Sequence, residues 1–80
     1  MIVYVGNLSR ETNEEQLRVA FSRYGEIVSL IIVRDKKNGR SRGFGFVGMA
    51  SEQHALTVIE ELHGQLLEGK VLKVNLADDN

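Results

Sequence analysis

Apolar and polar positions along this chain follow two periods, close to 2 in some stretches and to 3.6 in others. Ile2 to Val5 is β-branched or aromatic throughout, and Asn7 to Arg10 reads as its exit loop, which predicts a first strand. Leu17, Ala20, Phe21 and Tyr24 then recur at i, i+3, i+4 and i+7, the face of an amphipathic helix. Thr12 reads as its N-cap, with Glu15 three residues on completing a capping box, and Gly25 as the left-handed residue that stops it. Ile27 to Val33 is nearly continuous in apolar residues and predicts a second strand. Lys37-Asn38-Gly39 supplies turn chemistry, and Arg42-Gly43-Phe44-Gly45-Phe46-Val47-Gly48-Met49 is a third strand, so that these two strands form an antiparallel hairpin. Ser51 caps a second helix running to about Leu62, with Ala55, Leu56, Ile59 and Leu62 as its apolar face and His63-Gly64 at its end. Gln65 to Lys70 is a short connection with room for a small hairpin. Val71 to Leu76 is the fourth strand, and Asp78-Asp79-Asn80 a polar tail.

The order β-α-β-β-α-β predicts a single α+β domain over residues 1–80. It is the ferredoxin-like split βαβ sandwich, a four-stranded antiparallel sheet with both helices on one face. The other face is left open, and many unrelated functions use this arrangement, so the fold alone does not decide the function.

Composition narrows the chemistry. The chain has no cysteine, which excludes disulfides, zinc knuckles and thiol nucleophiles. Its two histidines, His54 and His63, are too few for a metal site and are expected to be exposed or capping. No apolar run approaches the roughly 18 residues of a membrane span, and the strand pattern begins at once, without a targeting segment. The expectation is a soluble, cytoplasmic protein without cofactor, metal or membrane partner. Gly6-Asn7-Leu8-Ser9-Arg10 has too few glycines for a phosphate loop, and Gly43-Phe44-Gly45 lies within a strand, so no catalysis is expected. The net charge is −1, yet Arg34, Lys36, Lys37, Arg40 and Arg42 crowd one hairpin with only Asp35 opposing them in sequence. Many carboxylates sit instead in the helical segments, so one face can attract phosphate while another repels it; a solvated turn would carry the same residues.

Phe44 and Phe46 share one face of their strand, and two registers are open to them. If they are buried, Val47 and Met49 face water. If they are exposed, the glycines, Val47 and Met49 lie under the helices, where small residues permit close approach. Exposing Tyr4 buries Val3 and Val5, and burying Leu72 and Val74 turns Lys73 and Asn75 outward, which favours the second register. In the second strand, burying Leu30 and Ile32 leaves Ser29, Ile31 and Val33 on the open face.

With those residues in place, the chain resembles an RNA recognition motif domain over essentially its whole length. The octet matches the family's ribonucleoprotein octapeptide, K/R-G-F/Y-G/A-F-V-x-F/Y, at every specified position but the last, where Met49 replaces an aromatic. Val3 to Leu8 resembles the companion hexapeptide, with Tyr4 at its aromatic position. As a single domain, the chain is similar to the small stand-alone members known from bacteria. The resemblance implies single-stranded RNA bound on the open sheet, with Tyr4 and Phe46 stacking on bases and Phe44 packing between nucleotides or against sugars. It also implies that Arg42 meets the backbone, that Lys73 and Asn75 reach bases, and that Asn7 contributes, although a turn role for Asn7 is equally open. Arg34, Lys36, Lys37 and Arg40 would supply the basic hairpin. Gly48 offers no side chain, and Ile31 and Val33 put aliphatic groups on the platform. A protein-interaction or dimerisation surface is therefore one alternative, against the expected monomer, and single-stranded DNA is another.

Overall fold

A computed structural model describes residues 1–77; the polar tail expected at 78–80 lies outside the described residues. The Val-Tyr-Val alternation becomes β1 (Ile2–Gly6), with Val3 and Val5 buried on one side. It is followed by α1 (Glu14–Ser22), β2 (Ile27–Arg34), β3 (Ser41–Met49) and α2 (Glu52–Leu62), then β4 (Leu66–Leu67), β5 (Lys70–Val71) and β6 (Lys73–Leu76). β2, β3, β1 and β6 form one antiparallel sheet in that spatial order, the ferredoxin-like arrangement, while β4 and β5 make a separate two-stranded hairpin. The core is a single layer. Val3, Val5, Ile32, Val47, Met49 and Val74 from the sheet meet Leu17 and Phe21 of α1 and Ala55, Val58 and Leu62 of α2. Both helices therefore cover the same face, and Met49, 2% exposed, belongs to the core, as the register with outward phenylalanines requires.

Both ends of α1 differ from expectation. The N-cap is Asn13, one residue later than Thr12: its Oδ1 accepts from the Gln16 N–H at 2.8 Å, and Gln16 Oε1 accepts from the Asn13 N–H at 2.9 Å. Asn-x-x-Gln makes the same reciprocal box as Thr-x-x-Glu, so two overlapping boxes compete and packing chooses between them. Thr12 is only 1% exposed, tied by its N–H to the Ser9 carbonyl at 3.0 Å, and its hydroxyl has no partner among the described residues. At the other end Arg23 closes the helix in right-handed geometry and Gly25 is not left-handed. Gly25 is needed for space: a Cβ there would sit 2.8 Å from His54 Cβ and 2.9 Å from Met49 Cε.

In α2 the Ser51 cap and the end at His63-Gly64 hold, with Gly64 at φ +86°. Its buried face is Ala55, Val58 and Leu62, with Ile59 packed at the margin, whereas Leu56, expected inward, is 47% exposed. Ala55, Val58 and Leu62 fall at i, i+3 and i+7 on one stripe, and Leu56, one residue or about 100° beyond Ala55, is turned away from it. Both histidines act as tertiary staples: His54 Nδ1 accepts from the Glu26 N–H and His63 Nδ1 from the Val74 N–H, each at 3.0 Å. The strand expected over Val71 to Leu76 divides. Val71 pairs with Leu66 across a turn whose Glu68 and Gly69 both have positive φ, and only β6 pairs with β1.

The two candidate caps are separable by thermal unfolding. Asn13→Ala is expected to cost about 1 kcal/mol. Thr12→Val, which replaces an unpartnered buried hydroxyl with a methyl of the same shape, is expected to stabilise by about 1 kcal/mol. A loss of stability in Thr12→Val would return the capping role to Thr12.

Candidate nucleic-acid interface

The register of three strands builds the open face. Tyr4 is paired with Phe46 on one side and Asn75 on the other, and Phe46 with Ile31, giving a row Ile31, Phe46, Tyr4, Asn75 across the sheet. In the next row Gly6 lies between Phe44 and Lys73. The absent side chain at Gly6 makes room for the tyrosine, because a Cβ there would collide with the Tyr4 ring and hydroxyl. The rings of Tyr4, Phe44 and Phe46 form a triangle with centroids 5.9–6.1 Å apart and interplanar angles of 32°, 63° and 88°. Those separations lie within the range of favourable edge-to-face and tilted aromatic pairs, so the rings brace one another while each stays half-buried.

The glycines of β3 serve the sheet itself. A Cβ at Gly45 would strike the Ile31 carbonyl oxygen and lie 3.1 Å from Ile32 Cα, so the close approach is to β2 and not to the helices. Gly43 sits at φ +87°, where the β2–β3 register shifts between Ile32 and Arg34. Its N–H donates to Ser41 Oγ at 3.0 Å, and its carbonyl accepts from the Leu8 N–H at 2.9 Å. This irregularity carries Arg42 across the Phe44 ring, with the guanidinium carbon 6.0 Å from the ring centroid. Gly48, which offers no side chain of its own, is covered by Ser29, Val28 and Ile2. Ile31 is 56% exposed on the platform, while Val33 is half-buried.

The basic hairpin is less uniformly free than its sequence suggests. Arg34 is committed: its Nη2 meets Glu14 Oε1 at 2.9 Å, its Nε donates to Glu14 Oε2 at 3.3 Å, and its Nη1 donates to the Gly39 carbonyl at 3.2 Å. The local charge in the fold is therefore opposed by Glu14 as well as Asp35, a pairing across 20 residues that no local pattern announces. Asp35 Oδ1 accepts from the Lys37 and Asn38 N–H groups and shapes the turn, leaving Lys36, Lys37, Arg40 and Arg42 exposed. Asn7 takes φ +58° and its amide donates to the Val71 carbonyl at 2.7 Å, the turn role left open for it. Lys73 and Asn75 are exposed beside Gly6 and Tyr4. Two cations that the sequence reading did not single out, Arg10 and Lys70, line a hollow of about 390 Å³ with Tyr4, Asn7, Arg42 and Phe44. The long-range Leu8–Gly43 and Asn7–Val71 bonds help to hold them there. Among the described residues no group of acidic, histidine or cysteine side chains is placed to hold a metal ion, and no helix is long and apolar enough to cross a membrane.

The family model for the RNA recognition motif matches residues 3–73. This chain belongs to that family. It is 46% identical over 76 residues to glycine-rich RNA-binding protein 1 of Mycosarcoma maydis, covering 95% of this chain and 43% of that one. It is also 46% identical over 77 residues to the 28 kDa chloroplastic ribonucleoprotein of Spinacia oleracea, covering 96% of this chain and 33% of the relative. The crystal structure of RNA binding protein PG1 superposes with a TM-score of 0.94 at 42% identity, covering 100% of this chain and 96% of that one. The chain spans less than half the length of the curated relatives it matches, and these include chloroplastic and mitochondrial proteins, so the family carries no single compartment.

The Arg34 guanidinium holds the Glu14 carboxyl below its usual range. A depressed folded pKa contributes stability above the ordinary glutamate value of about 4.3, lost as pH falls through the folded value. The pair is exposed, so Glu14→Gln is expected to cost less than about 1 kcal/mol at pH 7, and the gap from wild type should close below about pH 4. A gap unchanged at acid pH would assign the cost to something other than the ion pair.

Proposed function

We propose that this domain binds single-stranded RNA on the open face of its main sheet, as a binding module and not as an enzyme. The observation that carries the proposal is the triangle of Tyr4, Phe44 and Phe46, held about 6 Å apart on the uncovered face and bordered by Arg42 and Lys73. Unstacked bases can lie on those rings, the cations can meet phosphate, and Asn75, adjacent to Tyr4, offers an amide to a base edge. Family membership and the TM-score of 0.90 to the Sxl-lethal protein–RNA complex, at 40% identity and covering 95% of this chain and 47% of that one, support the same reading. Lys36, Lys37 and Arg40 add attraction from the hairpin, whereas Arg34, engaged with Glu14, braces it. Asn7 likewise acts by holding its loop. Ile31 extends the platform as an apolar margin. A two-fold dimer through this face would crowd the like charges of two copies together, which disfavours self-association as its use.

Stacking contributes roughly 1–3 kcal/mol per base, so two or three stacked bases with a few phosphate contacts reach micromolar affinity, about −8 kcal/mol. Titration with a random RNA octanucleotide is expected to show log K falling against log salt with a slope of roughly −2. Phe44→Ala/Phe46→Ala should weaken binding by at least about 30-fold, and equal affinity of variant and wild type would overturn the proposal. A matching DNA octanucleotide in the same titration measures how far the 2′-hydroxyl is read.

A further inference from the structure

We infer that the bound strand does not end at the aromatic platform: its backbone continues past Phe44 through a cationic cleft formed by Arg10, Arg42 and Lys70. This rests on the RNA-binding reading and extends it to nucleotides beyond those that stack. The hollow of about 390 Å³ beside Tyr4 and Phe44 is adjoined by a second, of about 360 Å³, that reaches Asn38 and Arg40 on the β2–β3 hairpin. Arg10 and Arg42 line both, so the two form one path leading from the rings to the hairpin. Among the described residues the sole ion pair is that between Arg34 and Glu14, so Arg10, Arg40, Arg42 and Lys70 face the path without a carboxylate partner. The acid in its wall, Asp35, has its Oδ1 occupied by two backbone N–H groups of the turn.

The chemistry of the walls selects the occupant. Guanidinium groups and an ammonium, with apolar side chains only at the ring end, suit a run of phosphates and not a hydrophobic segment. An open groove suits a chain passing through, whereas a small anion would need enclosure. The spacing is built in, because the Leu8 N–H bond to the Gly43 carbonyl at 2.9 Å fixes the Arg10 loop against the start of β3. The Asn7 amide bond to Val71 does the same for Lys70.

The test compares a random trinucleotide RNA, long enough for the platform alone, with a random octanucleotide, at about 50 mM and about 200 mM salt. Arg10→Gln/Lys70→Gln, both exposed and so compatible with folding, is expected to bind the trinucleotide within about twofold of wild type. It should bind the octanucleotide roughly five- to tenfold more weakly, with a salt slope shallower by about 1.4. An equal loss for both lengths, or a loss for neither, would overturn the inference. Phe44→Ala/Phe46→Ala reports on the platform independently: if it leaves both affinities unchanged, the stacking reading fails whatever the cleft variant does.

Discussion

The antiparallel register of β1 against β3 governs everything on the open face. Val5 opposite Gly45 and Tyr4 opposite Phe46 are successive pairs, so the strand period alone sends one pair under the helices and the next into solvent. A slip of one residue would bury the aromatics and expose the valines. Gly45 lets β2 lie close against β3 in the same sheet, because any side chain there would collide with the backbone of β2. The close contact with a neighbouring strand and the outward direction of Phe44 and Phe46 are thus two aspects of one packing arrangement.

Electrostatics on this surface is decided by pairing more than by count. A net charge of −1 would discourage a polyanion, and the five basic residues of the hairpin segment would encourage one. In the fold, Glu14 withdraws Arg34 from that set, while the β1–α1 loop and the β4–β5 hairpin bring Arg10 and Lys70 beside Phe44. The positive surface is therefore shifted from the hairpin tip toward the ring triangle, where stacking and phosphate contact can act on the same nucleotides.

The two histidines show how much of a small domain's order rests on single polar bonds. His54 ties α2 to the connection entering β2, and His63 ties the end of α2 to β6. Each satisfies a backbone N–H outside the sheet's own pairing, that of Glu26 in the connection entering β2 and that of Val74 on the edge strand β6. Gly25 and Thr12 belong to the same economy of space: one leaves room for His54 and Met49, the other accepts a buried, unpartnered hydroxyl in order to fill its place.

The sequence by itself determined the element order, the sheet with helices on one face, and the direction of Tyr4, Phe44, Phe46, Lys73 and Asn75, because all of these follow from short-range periodicity that burial makes cooperative. It could not choose between Thr12 and Asn13 as cap or between Leu56 and Val58 as the inward residue, since the members of each pair lie only one or two positions apart and only the neighbouring surface decides. Nor could it reveal the Arg34–Glu14 pair, the fate of the Asn7 amide, or the gathering of Arg10, Arg42 and Lys70. Those contacts join residues far apart in the chain, and they exist only once the sheet register has set the loops beside one another.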